Sequence, residues 1–179
     1  LEAFARVRQD HPDCLLVLVP RHPERFDTVA SLCTRNGLAV VRRTEDRPVD
    51  PGTPVFLGDT LGELSLFYAA ADLAFIGGSL VPTGGHNMLE AAALGRAVVT
   101  GPHLFNFQEV SEHMLTARAM VRVENADELG ETVTRLLSDS VERARMGEAG
   151  RALVAGNRGA LERLVELTEG ALARSTTGQ

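Results

Sequence analysis

The chain has 179 residues, 44% hydrophobic and 23% charged, which suits one domain with a buried core. Its net charge is −6 and no stretch concentrates positive charge, which argues against a nucleic-acid partner. No run approaches the roughly 20 apolar residues of a membrane span, and the apolar stretch from Cys14 to Pro20 lacks the flanks of a signal peptide.

Leu1 to Asp10 carries a helical pattern with neither an initiator methionine nor a capping signal before it, and reads as part of a longer polypeptide. Six strands are predicted: Leu15 to Val19, Leu38 to Val41, Val55 to Leu57, Leu73 to Ile76, Ala97 to Thr100 and Met120 to Val123. Their apolar residues are consecutive instead of alternating, as in strands covered on both faces. Helices are predicted between them, at Phe26 to Asn36, Leu61 to Ala71, Asn87 to Leu94, Phe107 to Ala117 and Asp127 to Ser138. A helical tail from about Val141 to Ala173 carries Leu161, Leu164, Val165 and Leu172 on one stripe. This alternation predicts an α/β fold, a doubly wound parallel sheet of Rossmann-like type.

Helix boundaries are signed. Asn106 to Glu109 has capping-box spacing, with Phe105 and Val110 placed as a staple, and Asn125 to Glu128 repeats the pattern. Gly37 and Gly95 stand where helices stop. The polar segment Arg42 to Thr53 reads as an exposed loop. All 18 basic residues are arginine, a bias of coding, and Cys14 and Cys33 read as small buried hydrophobes without metal or disulfide spacing.

In open α/β sheets ligands bind beyond the carboxyl ends of the strands. Three loops there stand out. Gly77 to Asn87 holds two glycine pairs, and Gly84, Gly85 and His86 run into a helix start whose free N–H groups suit a phosphate. Pro20 and Arg21 follow the first strand, where a guanidinium can grip a phosphate or carboxylate, although a surface arginine in a proline-bounded turn fits equally. In Gly58 to Glu63, Thr60 and Glu63 have capping-box spacing that requires no ligand, and Asn87 and Glu90 share that spacing. The dinucleotide fingerprint and the Gly-Lys-Ser/Thr phosphate loop are missing, Ser79 has no nucleophile-elbow context, and His86 with Glu90 lacks a third metal ligand.

The string Gly-Gly-Ser-Leu-Val-Pro-Thr-Gly-Gly-His-Asn-Met-Leu-Glu at 77–90 occurs with Val-Pro-Arg-His-Pro-Glu-Arg-Phe at 19–26, Gly-Asp-Thr-Leu-Gly-Glu-Leu at 58–64 and Gly-Pro-His-Leu-Phe-Asn-Phe at 101–107. Together they resemble the 3-deoxy-D-manno-octulosonic acid (Kdo) transferases over nearly the whole chain. The resemblance implies the C-terminal, donor-binding half of a GT-B glycosyltransferase spanning residues 1–179, with the N-terminal acceptor domain outside it. It implies transfer of Kdo from CMP-Kdo to a lipid A precursor at the cytoplasmic face of the inner membrane, without a metal ion or other cofactor. Matching the family's CMP-contacting motifs are Pro20, Arg21, Leu61, Gly62, Glu63, Asn87, Met88, Leu89 and Glu90. Ala91 replaces the proline that the family usually has after the glutamate. The catalytic base, the acceptor site and the membrane anchor would belong to the other half, so no catalytic residue is assigned and this chain alone is expected to be inactive. Two alternatives stay open: a UDP-sugar transferase or epimerase domain, and a nucleotide-sugar-binding module without catalysis.

Overall fold

A computed structural model describes residues 1–156, in which strands and helices alternate throughout. Helix α1 (Glu2–Asp10) leads to β1 (Leu16–Leu18), α2 (Phe26–Arg35), β2 (Val40–Arg42) and β3 (Val55–Leu57). Next come α3 (Leu64–Ala70), β4 (Leu73–Phe75), α4 (Leu89–Ala93), β5 (Ala97–Thr100), α5 (Gln108–Thr116), β6 (Met120–Arg122) and α6 (Ala126–Ser138). A last helix, α7, covers 140–156, where the tail helix is expected; its Leu161, Leu164, Val165 and Leu172 stripe lies outside the described residues.

Every strand pair is parallel, as the βαβ alternation predicts. The strands form two three-stranded sheets, ordered β1-β3-β2 and β4-β5-β6, instead of one continuous ladder. Among the described residues β1 and β4 each keep one edge without a ladder partner, and the loops leaving these two strands build the site described below.

All four residues of β5 are buried, which explains its uninterrupted apolar run. Successive side chains point to opposite faces. Val98 packs with Met88, Ala92 and Met114 in one cluster, whereas Ala97 and Val99 pack with Leu129, Leu136 and Met146 in another. A third cluster, around Phe4, Cys33 and Val55, lies on the first sheet. Both cysteines are free thiols whose pKa burial pushes up, in keeping with an apolar role. Close helix contacts depend on missing side chains: a β-carbon at Gly147 of α7 would lie 1.9 Å from the Gly95 carbonyl oxygen.

Helix ends follow local chemistry. Gly37 and Gly95 terminate α2 and α4 at φ +74° and +68°, each within a pair of bonds back to the last turn. The Leu38 N–H is spent on Cys33 in closing α2, which delays β2 to Val40. Helix α5 closes by the same bonds with Arg118 at φ +54°, a position where no glycine signals the stop. At α6 the Asn125 side chain accepts from the Glu128 N–H at 2.9 Å, and Glu128 reaches back to the Glu124 N–H.

The second capping box does not form. Residues Phe105–Phe107 make a 3-10 turn, α5 starts after it, and Phe107 is the cap without a side-chain bond. Phe105 is 61% exposed, so it staples nothing, and the Asn106 amide donates to the Thr83 carbonyl instead. The Arg42 to Thr53 loop is largely exposed, but it opens with an ordered 3-10 turn at Arg43–Glu45.

The two loops beyond β4 and β5 are locked by one buried hydroxyl. Ser79 Oγ donates to the Ile76 carbonyl at 2.6 Å and accepts from the Gly101 N–H at 2.7 Å. Gly101 is packed so tightly that a β-carbon there would sit 2.3 Å from the Ser79 carbonyl oxygen. Ser79→Ala leaves the Gly101 N–H buried and unpaired and should cost about 1–3 kcal/mol, read as a lower urea midpoint at unchanged slope.

Candidate functional site

The loops after β1 and β4 meet at the candidate site, and the loop after β3 packs against the end of β1, where a β-carbon on Gly58 would lie 3.2 Å from Val19 Cγ2. Arg21, exposed just beyond β1, places Nη1 3.3 Å from Nδ1 of His86 in the loop after β4. This contact joins segments 65 residues apart and brings together two of the sequence-predicted positions. Burial, first, and the charges of Arg21 and His22 hold the His86 pKa below its ordinary value.

The loop carrying His86 is braced on both sides. Gly85 N–H donates to the Gly78 carbonyl, and Thr83 Oγ1 donates to the same oxygen at 2.7 Å. Gly84, at φ +92°, lies so close to the 103–106 segment that a β-carbon would be 2.2 Å from Asn106 Nδ2. The motif at 101–107 is therefore scaffolding: His103 N–H and the Asn106 amide hold the backbone of Ser79 and Thr83.

The next residues are arranged differently from their spacing. Helix α4 begins at Leu89, two residues beyond the expected start, and runs for five residues. Glu90 thus falls too early in the helix to close a capping box with the Asn87 backbone. Instead Asn87 Oδ1 accepts from the Leu89 N–H at 3.0 Å, and Asn87 Nδ2 donates to Glu90 Oε1 at 3.3 Å. So short a helix, with one of its first N–H groups already paired, adds little charge for an anion. Any phosphate grip must come from side chains and loop. Met88 is fully buried in the core, so it could meet a ligand only through its backbone, while Asn87 and Glu90 are exposed.

A network fixes the third loop. Asp59 is buried and accepts from Thr44 N–H at 3.0 Å and Thr44 Oγ1 at 2.7 Å, with Arg42 Nη1 at 3.8 Å. Sequence reading missed Asp59; an acidic residue closing a buried strand was the available signal. The Thr60–Glu63 capping box also fails, because Glu63 itself caps α3. Its carboxylate accepts from Thr60 Oγ1 and from Arg43 Nη2 at 3.1 Å. The Thr60 hydrogen bond and Arg43 together lower its pKa against the opposing effect of burial. With Glu63 so engaged, exposed Leu61 and Gly62 are the parts of the loop open to a ligand. Among the described residues no group of three or more His, Cys, Asp or Glu is placed to hold a metal ion.

Over residues 1–153 the chain matches the family described as glycosyl transferases group 1, and it belongs to that family. It is 43% identical to a 3-deoxy-D-manno-octulosonic acid transferase of Haemophilus influenzae over 176 residues, 98% of this chain and 41% of that protein. A namesake from Bordetella pertussis is 41% identical over 159 residues, 88% of this chain and 37% of that one. The chain thus spans about two fifths of the length of these relatives. The crystal structure of the C-terminal CMP-Kdo binding domain of WaaA from Acinetobacter baumannii matches with a TM-score of 0.81 at 33% identity, covering 86% of this chain and 80% of that one. The resemblance carried by the motifs therefore holds across the chain, and the fold is that of the C-terminal half of a GT-B glycosyltransferase.

The bracing of the His86 loop is directly testable. Gly84→Ala must adopt a strained φ and push aside Asn106 and Phe105. We expect a loss of about 1–3 kcal/mol in urea unfolding, of the size that such backbone strain commands.

Proposed function

We propose that this chain is the donor-binding half of a glycosyltransferase that moves Kdo from CMP-Kdo to a lipid A precursor in lipopolysaccharide biosynthesis. The observation that carries the reading is the meeting of Arg21 with His86 beyond β1 and β4, in a chain whose fold matches a CMP-Kdo binding domain. CMP-Kdo has one phosphate, joined to the sugar. When the sugar departs, that phosphate gains negative charge, and a positioned guanidinium stabilises the change. In this reading Arg21 takes the place a metal ion would hold, and transfer needs no cofactor.

The remaining residues frame the nucleotide. Glu90, exposed and bonded only through the Asn87 side chain, is suited to accept hydrogen bonds from the ribose hydroxyls. Pro20, Leu61, Gly62 and the Asn87 to Leu89 backbone shape the rest, with Gly84, Gly85 and His86 beneath the phosphate. Residues 1–179 act as one domain whose partner is an N-terminal acceptor domain, which supplies the base and the lipid site. Without it the chain binds donor but transfers nothing. The whole enzyme works at the cytoplasmic face of the inner membrane through that other half; among the described residues no helix is long and apolar enough to cross a membrane.

Calorimetric titration with CMP, UMP and AMP tests this. CMP should bind most tightly, and Arg21→Ala should cut its affinity by about 1.5–3 kcal/mol, the range for a charge-assisted hydrogen bond. Tighter binding of UMP would replace the reading with a UDP-sugar transferase or epimerase domain.

Glu90→Gln separates ribose recognition from stability. Its hydrogen-bond partner, Asn87, is an exposed side chain, so the melting temperature should stay nearly unchanged. CMP binding should weaken clearly, and 2′,3′-dideoxycytidine monophosphate, which lacks both hydroxyls, should be affected much less. Equal losses for both nucleotides would remove the ribose role.

A further inference from the structure

The Arg21–His86 contact fixes more than a position. A guanidinium only donates, so at 3.3 Å the His86 Nδ1 must be the acceptor. With Nδ1 accepting from Arg21, His86 is neutral and carries its proton on Nε2. The ring lies over the Gly77–Gly78 backbone, where a β-carbon on Gly78 would be 3.5 Å from Nε2. The groups acting on it are Arg21 and His22 from the segment after β1, both of which oppose a positive charge. On its own segment, Glu90 is turned to Asn87 at 3.3 Å. Among the described residues no carboxylate forms an ion pair with His86 or acts on its pKa.

We infer that His86 is a phosphate-binding residue that takes up a proton when the donor anion displaces it from Arg21. This deepens the reading above and rests on it. A phosphate that takes the Nη1 N–H now given to His86 displaces Nδ1 from it, while the other guanidinium N–H groups complete the grip. The freed lone pair then faces a phosphate oxygen, an acceptor facing an acceptor, which is repulsive. One proton from solvent, placed on Nδ1, turns that repulsion into an N–H donation from an imidazolium. No other bond changes. The negative charge that favours this form is absent until the ligand arrives, so uptake and binding are coupled.

The test uses the 179-residue chain. Nitrogen NMR of the free protein should show His86 as the Nε2–H tautomer with a pKa below the ordinary histidine value. An Nδ1–H tautomer, or a charged ring at neutral pH, overturns the inference before any ligand is added. Binding should then be measured with the methyl ester of CMP, whose phosphate does not titrate near neutrality. Calorimetry in PIPES and in imidazole, at about pH 6.5 where histidine titrates, should report net proton uptake. Affinity should be about threefold or more greater near pH 5.5 than near pH 8, since each unit of raised pKa is worth up to tenfold. His86→Gln should lose the uptake and the pH dependence together; His22→Gln should keep both. Binding without uptake, or uptake that survives His86→Gln, overturns the inference and leaves the proposed function standing. No binding of the ester at either pH overturns both.

Discussion

The geometry of the site depends on the hydroxyl of Ser79. It is wholly buried, donates to Ile76 at the end of β4 and accepts from Gly101 at the end of β5. A buried polar group must be paired, so this hydroxyl leaves the two strand ends only one mutual placement. From that joint the chain runs out through Gly84 and Gly85 and returns at Asn87. The 101–107 segment, held by the same joint, props the outgoing loop from the other side. His86 stands at the top of this arch. Its approach to Arg21 from the other sheet follows from a contact with no ligand chemistry of its own.

Charge at the site is distributed by use. Of the acidic side chains around it, Asp59 is occupied by Thr44 and Arg42, and Glu63 by Thr60 and Arg43. Both serve the architecture of the β3 loop. Arg42 and Arg43 are drawn into the same network, Arg42 also reaching Asp27 at 2.7 Å. Arg21, by contrast, contacts the ring of His86 and, among the described residues, no carboxylate. An exposed ion pair contributes little in water, but a cation held beside an uncharged acceptor exchanges that partner for an anion readily. The sheet edge thus holds arginines of two kinds, those paired with carboxylates that build it and Arg21, which the proposed function leaves for the ligand.

How far the sequence revealed this depends on whether local or distant contacts decided each feature. Strands Val55–Leu57 and Ala97–Thr100 were legible to the residue, because burial on both faces leaves an uninterrupted apolar run. Gly37 and Gly95 were legible because only glycine enters that helix ending without strain. Arg118 was not, since there the tertiary fold imposes the same turn on an ordinary residue. Of the four capping-box spacings, only Asn125 to Glu128 places a cap where predicted. At Asn106 and Thr60 a turn precedes the helix and moves its start, and at Asn87 the loop does the same. Spacing alone does not carry that information. Arg21 was visible as a residue at a strand's carboxyl end, but its partner, 65 residues away, could come only from the topology.

The short α4 changes what kind of anion site this is. A long helix beginning at Asn87 would have offered several aligned N–H groups, a fixed and pH-independent attraction. Five residues beginning at Leu89, with Asn87 already occupying one N–H, offer little of that. In the proposed function the task passes to two side chains, an arginine that is always charged and a histidine that is not. Fixed dipoles would offer the leaving phosphate the same orientation and the same charge at every pH. In the proposed reading, a guanidinium that exchanges an imidazole for a phosphate, and an imidazole that gains a proton, would respond instead to the charge that arrives. On that reading the short helix would exchange a static phosphate cradle for one whose own charge follows that of its ligand.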